Sequence, residues 1–227
     1  MRPIRTLVPI LAALTLSACA PRGGVATGPT PMSDAERVRA DSIRLPYTEA
    51  DITFMSGMIG HHAQAILISR WAPTHTQDPE LRTLASRIIN AQTDDITLMT
   101  GWLRDRGKPV PSVSPEGVFT PAPPDPNDPH AGHQMGGHDH STMAGMLSPE
   151  QLVELDAARG EAFDLLFLQR MIVHHRGAIT MVRDLIRDGG AIDEVVFRFA
   201  SDVEVDQSTE IARMLQMLLE RGGLPPE

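Results

Sequence analysis

One stretch of this chain occurs twice, at 54–66 and again at 167–179. The copies share Phe54 with Phe167, Met58 with Met171, Ile59 with Ile172, the adjacent pairs His61-His62 and His174-His175, Ala65 with Ala178 and Ile66 with Ile179. At about 100° of rotation per helical residue, Asp51, Met58, His62, Ala65 and Ser69 fall on one narrow face, with His61 to one side beside Phe54. The second copy sets Asp164, Met171 and His175 on the equivalent face, with His174 and Phe167 beside it. A carboxylate, a thioether and an imidazole therefore share a stripe that the apolar period buries. Methionine at this spacing commonly fills a core, and a lone histidine there is commonly hydrogen-bonded. Repetition of the whole set asks four imidazoles to be satisfied inside a bundle, which points to a metal or ligand role.

The first residues read as an address. Arg2 and Arg5 form a charged region, 7–16 an apolar run too short to span a bilayer, and Leu16-Ser17-Ala18-Cys19 closes it. That ending resembles a bacterial lipobox, so 1–18 is expected to be a lipoprotein signal peptide and Cys19 the lipidated first residue. Ala20 supplies no acidic retention signal, which favours the outer membrane and a periplasm-facing protein held only by its lipid. Removing Arg2 and Arg5 from 20 basic groups leaves 18 against 29 acidic ones, −11 for the mature chain. With no concentrated basic patch, nucleic acid is excluded as a partner. Cys19 is the one cysteine, so a metal site within the chain must draw on His, Met, Asp, Glu and Gln.

Residues 19–32 read as a flexible tether. Ser33-Asp34-Ala35-Glu36 is a capping-box pattern for a short helix to about residue 44, and Thr48-Glu49-Ala50-Asp51 caps the helix with the first His pair, which is expected to stop at Pro73. Asp78-Pro79-Glu80 starts a long helix that Gly107-Lys108-Pro109 ends. Its apolar stripe, Leu81, Leu84, Ala85, Ile88, Met99 and Trp102, is interrupted by Gln92 and Asp95. The last helix repeats this with Val203, Gln207, Glu210, Met214 and Leu218. Ser148-Pro149-Glu150-Gln151 caps a short helix to about residue 159. A helix over about 161–187 carries His174-His175, and the final helix ends at Gly222-Gly223. The expected units are a first helical repeat at 33–108, a linker at 109–147 and a second repeat at 148–223, with no strand of useful length.

The linker has two parts. Residues 109–129 hold eight prolines and should be extended. Then His130, His133, Met135, His138, His140, Met143 and Met146 lie within seventeen residues on a Gly-rich backbone. Imidazole with thioether suits copper, and the soft thioether favours Cu(I).

Two hairpins that each bury one stripe will pair, giving an all-α four-helix bundle built from two repeated helical hairpins, each preceded by a short helix, with an internal pseudo-two-fold. The doubled Phe-Met-x-x-Met-Ile-x-His-His-x-x-Ala-Ile run resembles the domain of unknown function numbered 305; Leu168 replaces the first Met in the second copy. The resemblance implies a ferritin-like bundle and, from some members, copper binding and copper resistance in the periplasm. No Glu-x-x-His pair stands at either His-His turn, which speaks against a ferroxidase-type di-iron centre.

The expected metal-binding residues of the bundle are Asp51, Met58, His61, His62, Asp95, Met99, Asp164, Met171, His174, His175, Glu210 and Met214. His62 and His175 are expected to face each other across the core, with His61 and His174 flanking. The expected function is an extracytoplasmic metal-binding lipoprotein that buffers, sequesters or transfers ions to a metal-transfer partner. Copper comes first, with iron, manganese or zinc as alternatives. Competing expectations are a metal-dependent oxidoreductase using Asp51, His62, Asp95, Asp164, His175 and Glu210, and a structural or interaction module whose His and carboxylates only satisfy each other. The four methionines favour the soft-metal function over the oxidoreductase, and the tract, which packing does not need, speaks against the structural module.

Overall fold

Three of the four long helices start at a side-chain cap that the sequence provides. Thr48 closes a capping box with Asp51 at the start of α1 (Glu49–Ser69). Asp78 accepts from the backbone at Glu80 and Leu81, ahead of Pro79, to start α3 (Pro79–Asp105). Gly160 precedes α5 (Glu161–Arg187), and Asp193 caps α6 (Glu194–Glu220). Short helices α2 (Ala72–His75) and α4 (Pro149–Ala157) lie between them, the latter opened by a Ser148–Gln151 capping box. The computed structural model describes Ser33, Glu36, Arg37, Arg39 and Ala40, then residues 46–123 and 143–226. The expected leader, Cys19 and the tether, together with His130, His133, Met135, His138 and His140, lie outside the described residues.

Two expectations about local structure are corrected. α1 ends at Ser69, and Pro73 sits in the first turn of α2, where its missing N–H costs nothing. The Pro-rich stretch holds a small antiparallel ladder, β1 (Ser112–Val113) with β2 (Phe119–Thr120), inside the segment expected to be extended throughout. Its turn is laid on α1: Gly117 has φ +89°, and a Cβ there would stand 2.6 Å from the Leu67 nitrogen. Only glycine permits both that backbone and that approach.

α1 pairs with α3 and α5 with α6, and the hairpins meet along α1 and α5. These two run antiparallel. Asp51, near the start of α1, accepts from the Ala191 nitrogen just past the end of α5 at 2.6 Å, while Gly160, just ahead of α5, donates to the His75 carbonyl beyond α1 at 2.7 Å. The same pseudo-two-fold relates two fasteners. Arg106 after α3 bonds the Asp193 cap of α6 at 2.5 Å, fully buried, and Arg221 after α6 bonds the Asp78 cap of α3 at 3.0 Å, half-buried.

The repeat also divides the core in two. One apolar cluster takes Ala65 and Ile68 of α1, Leu81 to Ile88 of α3, Phe163 to Ile172 of α5 and Met214 to Leu218 of α6. The other takes Phe54 to Ile59, Met99 to Leu103, Ala178 to Leu185 and Val196 to Val203. Between them, at mid-length of every long helix, the sequence places His61, His62, Gln92, Asp95, His174, His175, Gln207 and Glu210. The bundle therefore has a polar waist between two apolar halves.

Candidate metal centre

The waist is built around two imidazoles in contact. His61 of α1 and His174 of α5 have ring centroids 3.9 Å apart and planes tilted by 37°, and both rings are buried. His62 and His175 flank them, with centroids 6.4 and 6.3 Å from their chain neighbours. The His62 Nε2–H donates to the Asp95 carboxylate at 3.0 Å, and the His175 Nε2–H to the Glu210 carboxylate at 2.6 Å. Those bonds engage Nε2 and not the two Nδ1 atoms. Both are buried without a hydrogen-bond partner, as are the two ring nitrogens of His174, the Gln92 side-chain amide and the Gln207 carbonyl oxygen. Buried polar atoms of this kind are rare in a settled core and ask for an explanation.

Electrostatics keep the central pair neutral. Burial, joined by the neighbouring His62, pushes His61 down to about 3, while its bond to the Ala144 carbonyl opposes the shift. Burial and then His61 itself push His174 well below the ordinary imidazole range; the His61 backbone offsets a little of this without a well-formed hydrogen bond. A neutral imidazole is the form that binds metal. Toward solvent the charge is negative: burial raises the Asp206 carboxyl, and so do Asp95, Asp202 and Glu210 around it.

The structure corrects the expected pairing. His61 and His174 meet across the pseudo-two-fold, whereas His62 and His175 each turn to a carboxylate of their own hairpin. The seam between α1 and α5 lies about 100° round each helix from the stripe that faces the hairpin partner. Asp51 and Asp164 also share the stripe but not the level, since eleven residues at 1.5 Å each carry them about 16 Å along the axis from His62 and His175. Asp51 accepts from Thr48 and Ala191, where it holds Ala191 at φ +60°. Asp164 sits beside Thr76 at the other end of the bundle, and burial raises its carboxyl. Met58 and Met99 belong to one apolar cluster and Met171 and Met214 to the other, so the thioethers border the waist from both sides. All four are fully buried.

The end of the tract closes the waist. Met143 and Met146 are half-buried, and the backbone between them lies in the groove over α1 and α5. The His61 Nε2–H donates to the Ala144 carbonyl at 3.1 Å. The Gln64 amide clamps Leu147 at both ends, giving to its carbonyl at 3.0 Å and taking from its N–H at 2.8 Å. A Cβ on Gly177 would stand 2.0 Å from the Ala144 carbonyl oxygen, and one on Gly145, at φ +77°, would stand 2.7 Å from the Val173 carbonyl oxygen. Sequence reasoning passed over Gln64, Gly145 and Gly177, and also His75. The buried His75 is held by Thr74 and by Asp156 of α4. The two glycines side by side in space carried no signal in one dimension.

The profile of a domain of unknown function, DUF305, matches residues 51–218. The chain belongs to the DUF305 family. Among solved structures, a secreted DUF305 protein from Streptomyces coelicolor is 28% identical with a TM-score of 0.62, covering 78% of this chain and 97% of that one. A DUF305 fragment from Deinococcus radiodurans is 27% identical with a TM-score of 0.60, covering 77% and 99%. CopM in its Cu(II)-bound form is 26% identical with a TM-score of 0.54, covering 75% and 96%. A curated relative, uncharacterised protein L153 of Acanthamoeba polyphaga mimivirus, is 39% identical over 56 residues, 25% of this chain and 37% of that protein. The mostly helical bundle expected from the sequence is thus the DUF305 fold.

Among the described residues of this DUF305 chain, no three His, Cys, Asp or Glu side chains gather as a metal cage. The waist instead offers bare imidazole nitrogens, two of them on rings whose other nitrogen is fixed by a carboxylate, with thioethers at its borders. Metal-binding histidines are ordinarily oriented in this way. The donor set fits a soft ion of low coordination number better than a hard one that needs an oxygen cage.

Proposed function

We propose that this DUF305 protein binds copper outside the cytoplasm, as a lipid-anchored chain that buffers, sequesters or hands on the ion. The observation that carries the reading is the waist: His62 and His175 present buried, unpartnered Nδ1 atoms with Nε2 held by Asp95 and Glu210, next to the His61–His174 pair. Structural likeness to CopM, solved with Cu(II) and with Cu(I), supports copper as the metal. Asp95 and Glu210 then orient imidazoles, and Asp51 and Asp164 hold loops. The acidic flank at Asp202 and Asp206 concentrates cations outside the waist. Location outside the cytoplasm rests on the lipobox-like leader and on likeness to a secreted relative. Among the described residues no helix is long and apolar enough to cross a membrane. Lipid labelling that is lost in Cys19→Ser tests the anchor; a wild-type chain that takes no label removes it.

Elemental analysis of the mature chain with and without residues 130–142 tests the metal reading. Met143 to Leu147 must be kept, because they pack on the bundle. The shortened chain is expected to retain copper, and a shortened chain free of copper would restrict binding to the tract.

A further inference from the structure

One turn of α1 before His61, two further thioethers come down on a single spot. A Cβ on Gly57 would stand 3.4 Å from the Met143 sulfur and 3.5 Å from the Met181 methyl carbon, so both side-chain ends occupy the room that the glycine leaves. They line an open cavity of about 430 Å³ between the start of α1 and the end of α5, walled by Phe54 and Leu185. The cavity also takes in Glu49, Asp184, Asp188 and Arg187, three carboxylates to one guanidinium. Arg187 is bonded to both aspartates, and the surroundings keep a net negative charge.

Packing of the repeat does not call for this pair. The core methionines Met58, Met99, Met171 and Met214 are fully buried and come as repeat-related twos. Met143 and Met181 are only half-buried. The second copy has Arg170 where the first has Gly57, and the first has Ile68 where the second has Met181.

We propose that Met143 and Met181 form a surface site for a soft monovalent cation, Cu(I) or Ag(I), held by two thioethers over Gly57. Thioethers select soft ions and carry no proton to lose, so the site stays open to them when imidazoles are protonated. The apolar walls offer nothing to a strongly hydrated hard ion, and the carboxylates draw cations in. Met143 is also the point at which the His/Met tract rejoins the bundle. The site extends the copper reading and rests on it only for the choice of metal.

Methionine-methyl NMR of the processed chain during titration with silver nitrate tests it, using wild type, Met181→Leu and the His62→Ala/His175→Ala pair. Leucine keeps the apolar volume of methionine. The ε-methyl signals of Met143 and Met181 are expected to move together before one equivalent of silver. Met181→Leu is expected to weaken the Met143 response about tenfold or more, through loss of the second tethered donor. In the histidine variant both signals are expected to respond as in wild type; loss of the response there would contradict a separate site. A Met143 response unchanged by Met181→Leu would overturn the pair. Bound silver with neither signal moving would overturn this site and leave the waist reading standing, and a chain that binds no silver would overturn both.

Discussion

His61 and His174 are kept neutral by burial, and this makes the apo protein sensitive to acid. Unfolded imidazole takes a proton near 6.5, whereas folded His61 resists until about 3. Below 6.5 the unfolded state binds more protons, so the stability is whole above that pH and is lost progressively as pH falls toward 3. His61 alone should cost metal-free protein about 2 kcal/mol between pH 7 and pH 5. Denaturant midpoints measured across that range check this, and a flat profile would mean the rings are hydrated. At the flanking pair, Glu210→Gln keeps the shape of the partner but removes its charge. If Glu210 orients His175 rather than binding metal, copper affinity in a competition assay should fall about 10- to 100-fold without vanishing. Complete loss would make Glu210 a direct ligand.

The elements meet through contacts that only small residues allow. Gly177→Ala would drive a methyl group into the Ala144 carbonyl, and since neither backbone can give way cheaply, a cost of about 1–3 kcal/mol is expected. Displaced backbone at 143–147 should show as faster hydrogen exchange at the Leu147 amide, now protected by Gln64. Wild-type exchange in the variant would show that the groove adapts. The helices themselves were legible in the sequence, down to the Thr48, Asp78 and Ser148 caps and the 161–187 span, because caps and apolar period are local signals. The buried state of Gln92, Gln207 and the four core methionines was legible for the same reason. Which histidine faces which was not, because the wheel gives a face but neither the height along the axis nor the neighbour on that face. The ladder at 112–120 was also hidden, since its register depends on the surface of α1.

At the scale of the molecule, one unit written twice produces two apolar halves, a polar waist between them and two Asp–Arg fasteners across the hairpins. The fasteners differ in burial. Asp193→Ala should destabilise by about 3–5 kcal/mol because it removes the carboxylate partner of the buried Arg106 as well as uncapping α6. Asp78→Ala, facing the less deeply buried Arg221, should cost clearly less in the same denaturation assay. Equal costs would mean that capping, not charge burial, dominates both. The waist is where the duplication bears on function, because it brings four imidazoles to one level from helices that are far apart in sequence. The direct measurement is copper per chain in protein lacking residues 130–142, compared with the same protein carrying His62→Ala and His175→Ala, with helicity followed by circular dichroism. Less copper per chain in the second than in the first, at equal helicity, is the predicted result, since the thioether pair at Met143 and Met181 is intact in both; no copper in the first, or equal copper in both, would contradict a metal site at the waist.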